Sequence, residues 1–490
     1  MVQKSLFSGT FMEMLDSNDP LIVLADKYPW SKLEDYLQRF YTGIGRPPKP
    51  IRLMVGLLLL KQLENLSDEN LVLQFKRNPY YQYFCGRSDY TPQEPCHSTE
   101  LVKFRNRIGK EGFEYIFKLS VEMHGDASEE SQIIIDSTVQ ESNLTFPTDG
   151  KLALKIIIHL MRIAKKEKIK LRRSYVKELK RLRIQLRFFR HPRKLKKALG
   201  AMKRLRAIAK IVMRDIQRKM DDNTLKSYQS KFDFYLKVLS QERNDKNKVY
   251  SLHEVDAYAI NKGKDHKGYE FGTKASIAIT KESGIIVGAV AHPHIHDSKT
   301  LPTVLDNVHK NRTAPVEEAI CDRGYVGVKE VSNSYDALEC ILHYFIFLIV
   351  LQKNYFLLFT YLKAIEMTPI AYTTMISLPS TIRKKDTPKE LEIKRQKFRR
   401  RAAIEPIIGH LKSDHRMARN YLKGFKGDEV NLLLAASAFN LKKWMRLYFF
   451  ALYSGNTILA LAVVDVIKSR ILKLQSYRKY TDLNRSTESI

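Results

Sequence analysis

The chain has 490 residues and a mass of 57.0 kDa, enough for a full hydrophobic core and two or three structural units. Its 84 Lys plus Arg against 53 Asp plus Glu give a net charge of +31 and a pI near 9.7, a balance that favours a polyanionic partner, either nucleic acid or an anionic membrane surface. Four cysteines, Cys85, Cys96, Cys321 and Cys340, exclude a disulfide framework and contain no close pair of the kind that binds zinc, so a reducing compartment is expected. No secretory signal is expected either, because Glu13 and Asp16 interrupt the apolar residues at the start.

Residues 1–125 read as a compact helical unit. "KPIRLMVGLLLLKQLENL" is a mainly apolar helix, and Ser67 with Asp68 and Glu69 supplies the start of the next. In "STELVKFRNRIG", Leu101, Phe104 and Ile108 share a face, Lys103, Arg105 and Arg107 lie elsewhere, and Gly109 is expected to stop the helix. Short basic helices joined by turns suit a DNA-binding helix-turn-helix or a plain helical bundle.

"IIIDSTVQESN", residues 133–143, delivers Asp136 at the end of three isoleucines. Such an unbroken β-branched run predicts a strand buried on both faces. Its carboxylate could serve chemistry or simply bond nearby backbone amides.

Residues 151–220 then hold 26 Lys or Arg and three acids, Glu167, Glu178 and Asp215. The basic residues alternate with apolar ones at helical spacing, predicting amphipathic helices with a turn near His191 and Pro192. Arg172, Arg173, Lys180, Arg181 and Arg183 are candidate phosphate contacts, and binding through them should depend strongly on salt.

"YEFGTKASIAIT" and "GIIVGAVAHPHIH" flank the turn "KESG" and predict a hairpin. "SKTLPTVLDNVHK" reads as a helix capped by Asp297, and "PVEEAICDRGYVGV" places a second acid, Asp322, at a strand end before a glycine turn. The alternating His292, His294 and His296 could face one zinc ion. No HExxH or cysteine pair supports that reading.

In "KFRRRAAIEPIIGHLKSDHRM", Phe398, Arg401, Glu405, Ile408 and Lys412 are spaced by three or four residues and would share one face of a helix. Pro406 would kink that helix or mark a helix start. The pattern Phe398, Arg401, Glu405, Lys412 resembles the Tyr, Arg, Glu, Lys signature of the DDE transposases of bacterial insertion sequences, InsH-type branch, with Phe in the Tyr position. "DSTVQESNLTFPTDGKL", "HKGYEFGTKASIA", "CDRGYVG" and the helices around "IRLMVGLLLLKQLENLSDENL" are similar to the family in the same order.

The resemblance implies an α/β fold: an RNase H-like mixed sheet, a helical N-terminal domain and a basic helical insertion after the first catalytic strand. It implies Asp136, Asp322 and Glu405 as catalytic residues and metal ligands for two Mg²⁺ ions, with Mn²⁺ as a substitute. Asp136 would bridge the ions, while Arg401 and Lys412 hold phosphate. Water would first free a 3′-hydroxyl at the element's end, and that hydroxyl would attack target DNA. The implied partners are the terminal repeats, target DNA and a second copy of the chain, in a bacterial cytoplasm at the nucleoid.

The expected boundaries are 1–125 for the N-terminal domain and 126–447 for the catalytic domain, with the insertion at 151–245 and an additional tail at 448–490. Residues 334–375 depart from the pattern, being aromatic and aliphatic where polar turns are expected. The stretch 341–362 approaches membrane-span length, but Gln352, Lys353 and Asn354 lie at its middle. A hydrophobic insertion into the catalytic domain is therefore expected rather than a span. Three functions compete: an active transposase, an inactive DNA-binding relic in which residues 334–375 misplace Glu405, and a basic protein at anionic lipid.

Overall fold

A computed structural model of the chain describes residues 14–41, 47–242, 244–245, 248–264, 267–325, 330–335, 370–378 and 387–453. Six helices come first: α1 (Pro20–Lys27), α2 (Trp30–Gln38), α3 (Ile51–Leu63), α4 (Asp68–Arg77), α5 (Pro79–Phe84) and α6 (Ser98–Glu122). α3 is apolar nearly all round and is buried at every position except Arg52, as a helix at the centre of a core must be. Ser67 caps α4 as its sequence predicts, its hydroxyl accepting from the Asn70 amide at 3.2 Å.

α6 departs from expectation twice. Gly109 does not end the helix but kinks it, at φ 56° and ψ −165°, a conformation open to glycine. Arg105, expected outside the apolar face, is buried and forks onto Asp68 at 3.2 and 2.6 Å. Lys61 meets the same carboxylate at 2.8 Å, so the buried charges are paired.

The sheet begins with β1 (Gln132–Ser142). Helices α7 (Asp149–Lys166), α8 (Val176–Gln185), α9 (Leu195–Lys219) and α10 (Asp222–Ser240) separate it from β2 (Tyr258–Lys264). Short 3₁₀ turns at Leu186–Arg190 and Pro192–Lys194 make the expected break near His191. The predicted hairpin forms between β3 (Lys267–Thr280) and β4 (Ile286–His292), followed by α11 (Leu301–Asn311) and β5 (Glu318–Ile320). Then come β6 (Glu330–Tyr335), β7 (Ile370–Ser377), α12 (Pro388–Arg401), α13 (Ile404–Ser413), β8 (Arg419–Asn420) and α14 (Gly424–Tyr453).

Strand order is β2-β3-β1-β5-β7-β6, with β4 also on β3 and β8 on β1. β1, β2, β3 and β4 meet antiparallel, whereas β5 runs parallel to β1 and β7 parallel to β5. This mixed α/β architecture packs α11 and α14 against β4, and α14 also against α3 and α6. One hydrophobic core joins the N-terminal helices, the sheet, α11, α13 and α14. A second core, built from α7 to α10, belongs to the insertion. β6 pairs with β7 from Glu330 opposite Met375 to Tyr335 opposite Ile370, so the chain leaves and re-enters the sheet at neighbouring positions. The suspected span at 341–362 lies outside the described residues, as do most of residues 334–375 and residues 454–490 of the tail. Among the described residues no helix is long and apolar enough to cross a membrane.

A buried polar network fastens the N-terminal helices to the sheet. Gln140 of β1 donates to the Asp428 backbone carbonyl of α14 at 3.0 Å, and Asn420 donates to the Asp428 carboxylate at 2.7 Å. The Thr273 hydroxyl of β3 also donates to that carboxylate. Asn431 donates to Gln140 at 3.0 Å and accepts from Gln62 of α3 at 3.1 Å. Burial pushes the Asp428 carboxyl upward, against the three donors that favour its charge.

Two outcomes follow. Asn431→Ala leaves buried groups of Gln62 and Gln140 without these partners and should lower unfolding free energy by about 2–4 kcal/mol. Gly272 lies between Glu141 and Tyr258, and a Cβ there would stand 2.0 Å from the Gln140 carbonyl oxygen. Gly272→Ala should therefore part the strands at a cost of about 3 kcal/mol. Urea denaturation checks both, and a midpoint unchanged from wild type would refute either.

Candidate active site

The Ile133–Ile135 run is fully buried, as predicted, but β1 does not end at Asp136. It continues to Ser142 because β3 pairs with it through Glu141 and Val139 and Gln140 are themselves buried. Asp136 is thus a half-buried mid-strand residue, and its Oδ1 accepts from the Ser137 amide at 2.7 Å.

On the other side of β1, Gln132 stands opposite Glu318, Ile133 opposite Ala319 and Ile134 opposite Ile320. Asp322 lies two residues past the end of β5, where continuing that offset would set it level with Asp136, and Cys321 between feels the charge of both. Asp322 opens a 3₁₀ turn, its carbonyl accepting from the Tyr325 amide at 3.1 Å. Below the acids, Glu318 accepts from Gln132 at 2.6 Å and from the Ser377 hydroxyl, tying β1, β5 and β7 together.

Glu405 comes from a different direction. Arg401 ends α12 and Glu405 lies in the first turn of α13, so the single helical face expected from Phe398 to Lys412 is broken. Pro406 is the cause: it has no amide to give the Ala402 carbonyl, which accepts instead from Glu405 at 3.2 Å. Glu405, Ile408 and Lys412 still share a face of α13, with Lys412 about 10 Å along the axis. α13 packs on β1 and α14.

Arg401 spans the break. Its guanidinium lies 3.6 Å from Asp322 and 4.0 Å from Glu405 and is only 14% exposed. Its Nε has no hydrogen-bond partner among the described residues. Cys321 lies beside three of these groups: burial pushes its thiol up to about 12, and the charges of Asp136 and Asp322 add to the rise while Arg401 opposes it. The structure therefore brings Asp136, Asp322, Arg401 and Glu405 to one end of the sheet. The donors are all carboxylate oxygens, which suits a hard divalent cation. Among the described residues, however, no three His, Cys, Asp or Glu side chains are gathered closely enough to hold one ion.

The five basic candidates lie apart from these acids in sequence, on α8 and the loop before it, and all are exposed. Arg172 meets Asp215 and Arg173 meets Glu178, each at 3.5 Å; Arg181 also acts on the Glu178 charge from further away.

One expectation near the hairpin requires correction. Asp297 does not cap α11; it opens a 3₁₀ turn, and Thr300 occupies the cap. Its carboxylate instead meets Lys274 of β3 at 2.9 Å, and its Oδ2 would lie 3.6 Å from a Cβ at Gly324. This pair packs beside the turn that follows Asp322, a support that an acid near a helix start does not reveal in sequence. The histidines form no zinc group among the described residues. His292 is buried, whereas His294 lies tilted against the Tyr258 ring with centroids 4.5 Å apart and His296 is exposed.

Two family models match the chain. The family model described as Transposase domain (DUF772) matches residues 10–107, and that described as Transposase DDE domain matches residues 242–441. Over 196 residues the chain is 37% identical to a Rhizobium meliloti protein described as "Uncharacterized protein ORF8 in nfe locus", a stretch covering 39% of this chain and 95% of that protein. No solved structure matches. The chain belongs to the DDE transposases of insertion sequences. Asp322 and Glu405 fall inside the matched DDE range and Asp136 outside it, so the pairing of β1 with β5 is what brings the first acid towards the second.

Three histidines give a pH expectation. Burial, as the largest cause, lowers His124, His292 and His415 from 6.5 to about 4. The unfolded chain takes up these protons first, so stability is fully present above pH 6.5 and is lost as pH falls towards 4. Urea midpoints should decline across that window, less so in His415→Gln. A midpoint constant down to pH 4.5 would refute this.

Proposed function

We propose that the protein binds the ends of an insertion sequence and carries out metal-dependent DNA cleavage and strand transfer, with Asp136, Asp322 and Glu405 as catalytic residues. The observation that carries this reading is the pairing of β1 with β5 that brings Asp136 towards Asp322, with Arg401 reaching Glu405. Antiparallel strands continuing into two parallel ones support an RNase H-like core, and the Phe398, Arg401, Glu405, Lys412 spacing is what favours the InsH-type branch. The domain divisions at 125 and 447 and the insertion at 151–245 stand as part of this proposal, although 151 falls within α7 (Asp149–Lys166) and 447 within α14 (Gly424–Tyr453).

Bound at the three acids, Mg²⁺ or Mn²⁺ would supply Lewis-acid stabilisation of charge on the attacking and leaving oxygens. The chain's own residues supply the rest. β1, fixed on both sides, holds the Asp136 carboxylate against recoil. Arg401 lies between Asp322 and Glu405 and offers a planar fork to a phosphate entering beside them. Lys412 adds a point charge further along α13. The basic insertion holds DNA flanking the cut, and two copies pair two element ends in the cytoplasm.

The inactive-relic reading requires residues 334–375 to displace Glu405. The β6–β7 ladder closes that segment at the sheet edge, and Glu405 keeps its link through Arg401 to Asp322. Purified protein incubated with a plasmid carrying the DNA around its own gene should nick the element boundary only with Mg²⁺ or Mn²⁺. Asp136→Asn, Asp322→Asn and Glu405→Gln should each abolish nicking while leaving DNA binding intact. Binding by the wild type without any cut, under either metal, would establish the relic.

A further inference from the structure

α9 presents two opposed faces. Ala198, Ala201, Leu205, Ile208, Val212 and Ile216 are buried, and the helix packs against α7, α8 and α10. On the opposite side Lys196, Lys203, Lys210, Arg214 and Arg218 follow at steps of seven, seven, four and four, and all five are exposed. At 3.6 residues per turn they occupy a stripe about 80° wide and, at 1.5 Å per residue, about 33 Å long. That length matches one turn of B-DNA, about 34 Å.

The stripe is chemically uniform. The acid within α9, Asp215, is buried on the other side, where Arg172 and Lys219 engage it. Arg204, off the stripe, is taken by Glu178 at 2.7 Å. Among the described residues no ion pair involves any of the five. Arg218 bonds only the Arg214 carbonyl of its own helix, at 3.3 Å. Gly200 lies along the same face, and a Cβ there would meet nothing within 4 Å. No Asn, Gln, Asp or Glu lies along the stripe to read a base edge.

We propose that this face of α9 is a phosphate-tracking surface for duplex DNA, lying along the double helix and contacting its backbone over about one turn without reading sequence. The inference rests on the transposase reading and names the surface that carries its DNA. It moves the main contact from α8 and the loop before it, where Arg172 and Arg173 are engaged by acids, to α9. A lipid surface fits less well, because a membrane-seated helix offers its apolar face to the bilayer and that of α9 is already inside the insertion's core.

The test is fluorescence anisotropy of the full-length protein on a 30-base-pair duplex of arbitrary sequence, from 50 to 300 mM KCl. The variants are a fivefold glutamine substitution of the stripe, Lys203→Gln alone, and a control with Lys226, Lys231 and Lys237 on α10 changed to glutamine. Circular dichroism compares their folding. The plot of log affinity against log salt should flatten by about 4.5 in the fivefold variant and by about 1 in Lys203→Gln, with a smaller change in the control. Should the fivefold variant fail to fold, single substitutions at each of the five positions decide. Salt-dependent binding by the wild type with an unchanged slope in the stripe variants overturns the surface alone. No salt-dependent duplex binding by the wild type overturns the DNA reading with it. Stripe-dependent binding to phosphatidylserine vesicles in preference to the duplex would assign the face to membranes instead.

Discussion

The pairing of β1 on both of its edges is the constraint on which the site depends. β3 fixes it antiparallel over nine residues and β5 fixes it parallel over three, with Ile133, Ile134 and Ile135 wholly out of solvent between them. A strand held this way cannot slip by one residue without turning its buried set outward. The position of Asp136 is therefore a consequence of core packing, and so is its approach towards Asp322. The hydrogen bonds from Gln132 and Ser377 to Glu318 lock the same three strands just below.

Charge is organised around that mount in two opposite ways. At the sheet end, carboxylates converge and one nearly buried arginine lies between two of them, which holds their repulsion in check. In the insertion, cations accumulate on the surface of a unit with its own apolar core, where water screens their repulsion. A polyanion meeting the second surface would gain from the excess charge. The first can receive its phosphate only where Arg401 or a cation offsets the acids.

The buried polar network ties these parts together. Gln62, Gln140, Thr273, Asn420, Asp428 and Asn431 come from α3, the sheet and α14, and each polar contact fixes one element relative to another. Apolar contact in the shared core would tolerate sliding, whereas a satisfied network deep in a low-dielectric interior penalises every displaced partner.

Much of this was legible along the chain. The β-branched run before Asp136, the hairpin around "KESG", the Ser67 cap, the amphipathic insertion and the short apolar strand before Asp322 all follow from local periodicity and turn chemistry. Those signals depend only on neighbours in sequence. What periodicity did not decide was where β1 ends, since partner strands extend it past polar residues. It also left open whether Pro406 kinks a helix or begins one, and it gave no sign that Arg105 turns inward to Asp68 or that Asp297 meets Lys274. Register is the clearest case. The sequence supplies three acids separated by 186 and 83 residues, but the offset that brings Asp136 towards Asp322 exists only once β1 and β5 hydrogen-bond, because no local pattern encodes which residue of one strand faces which residue of another.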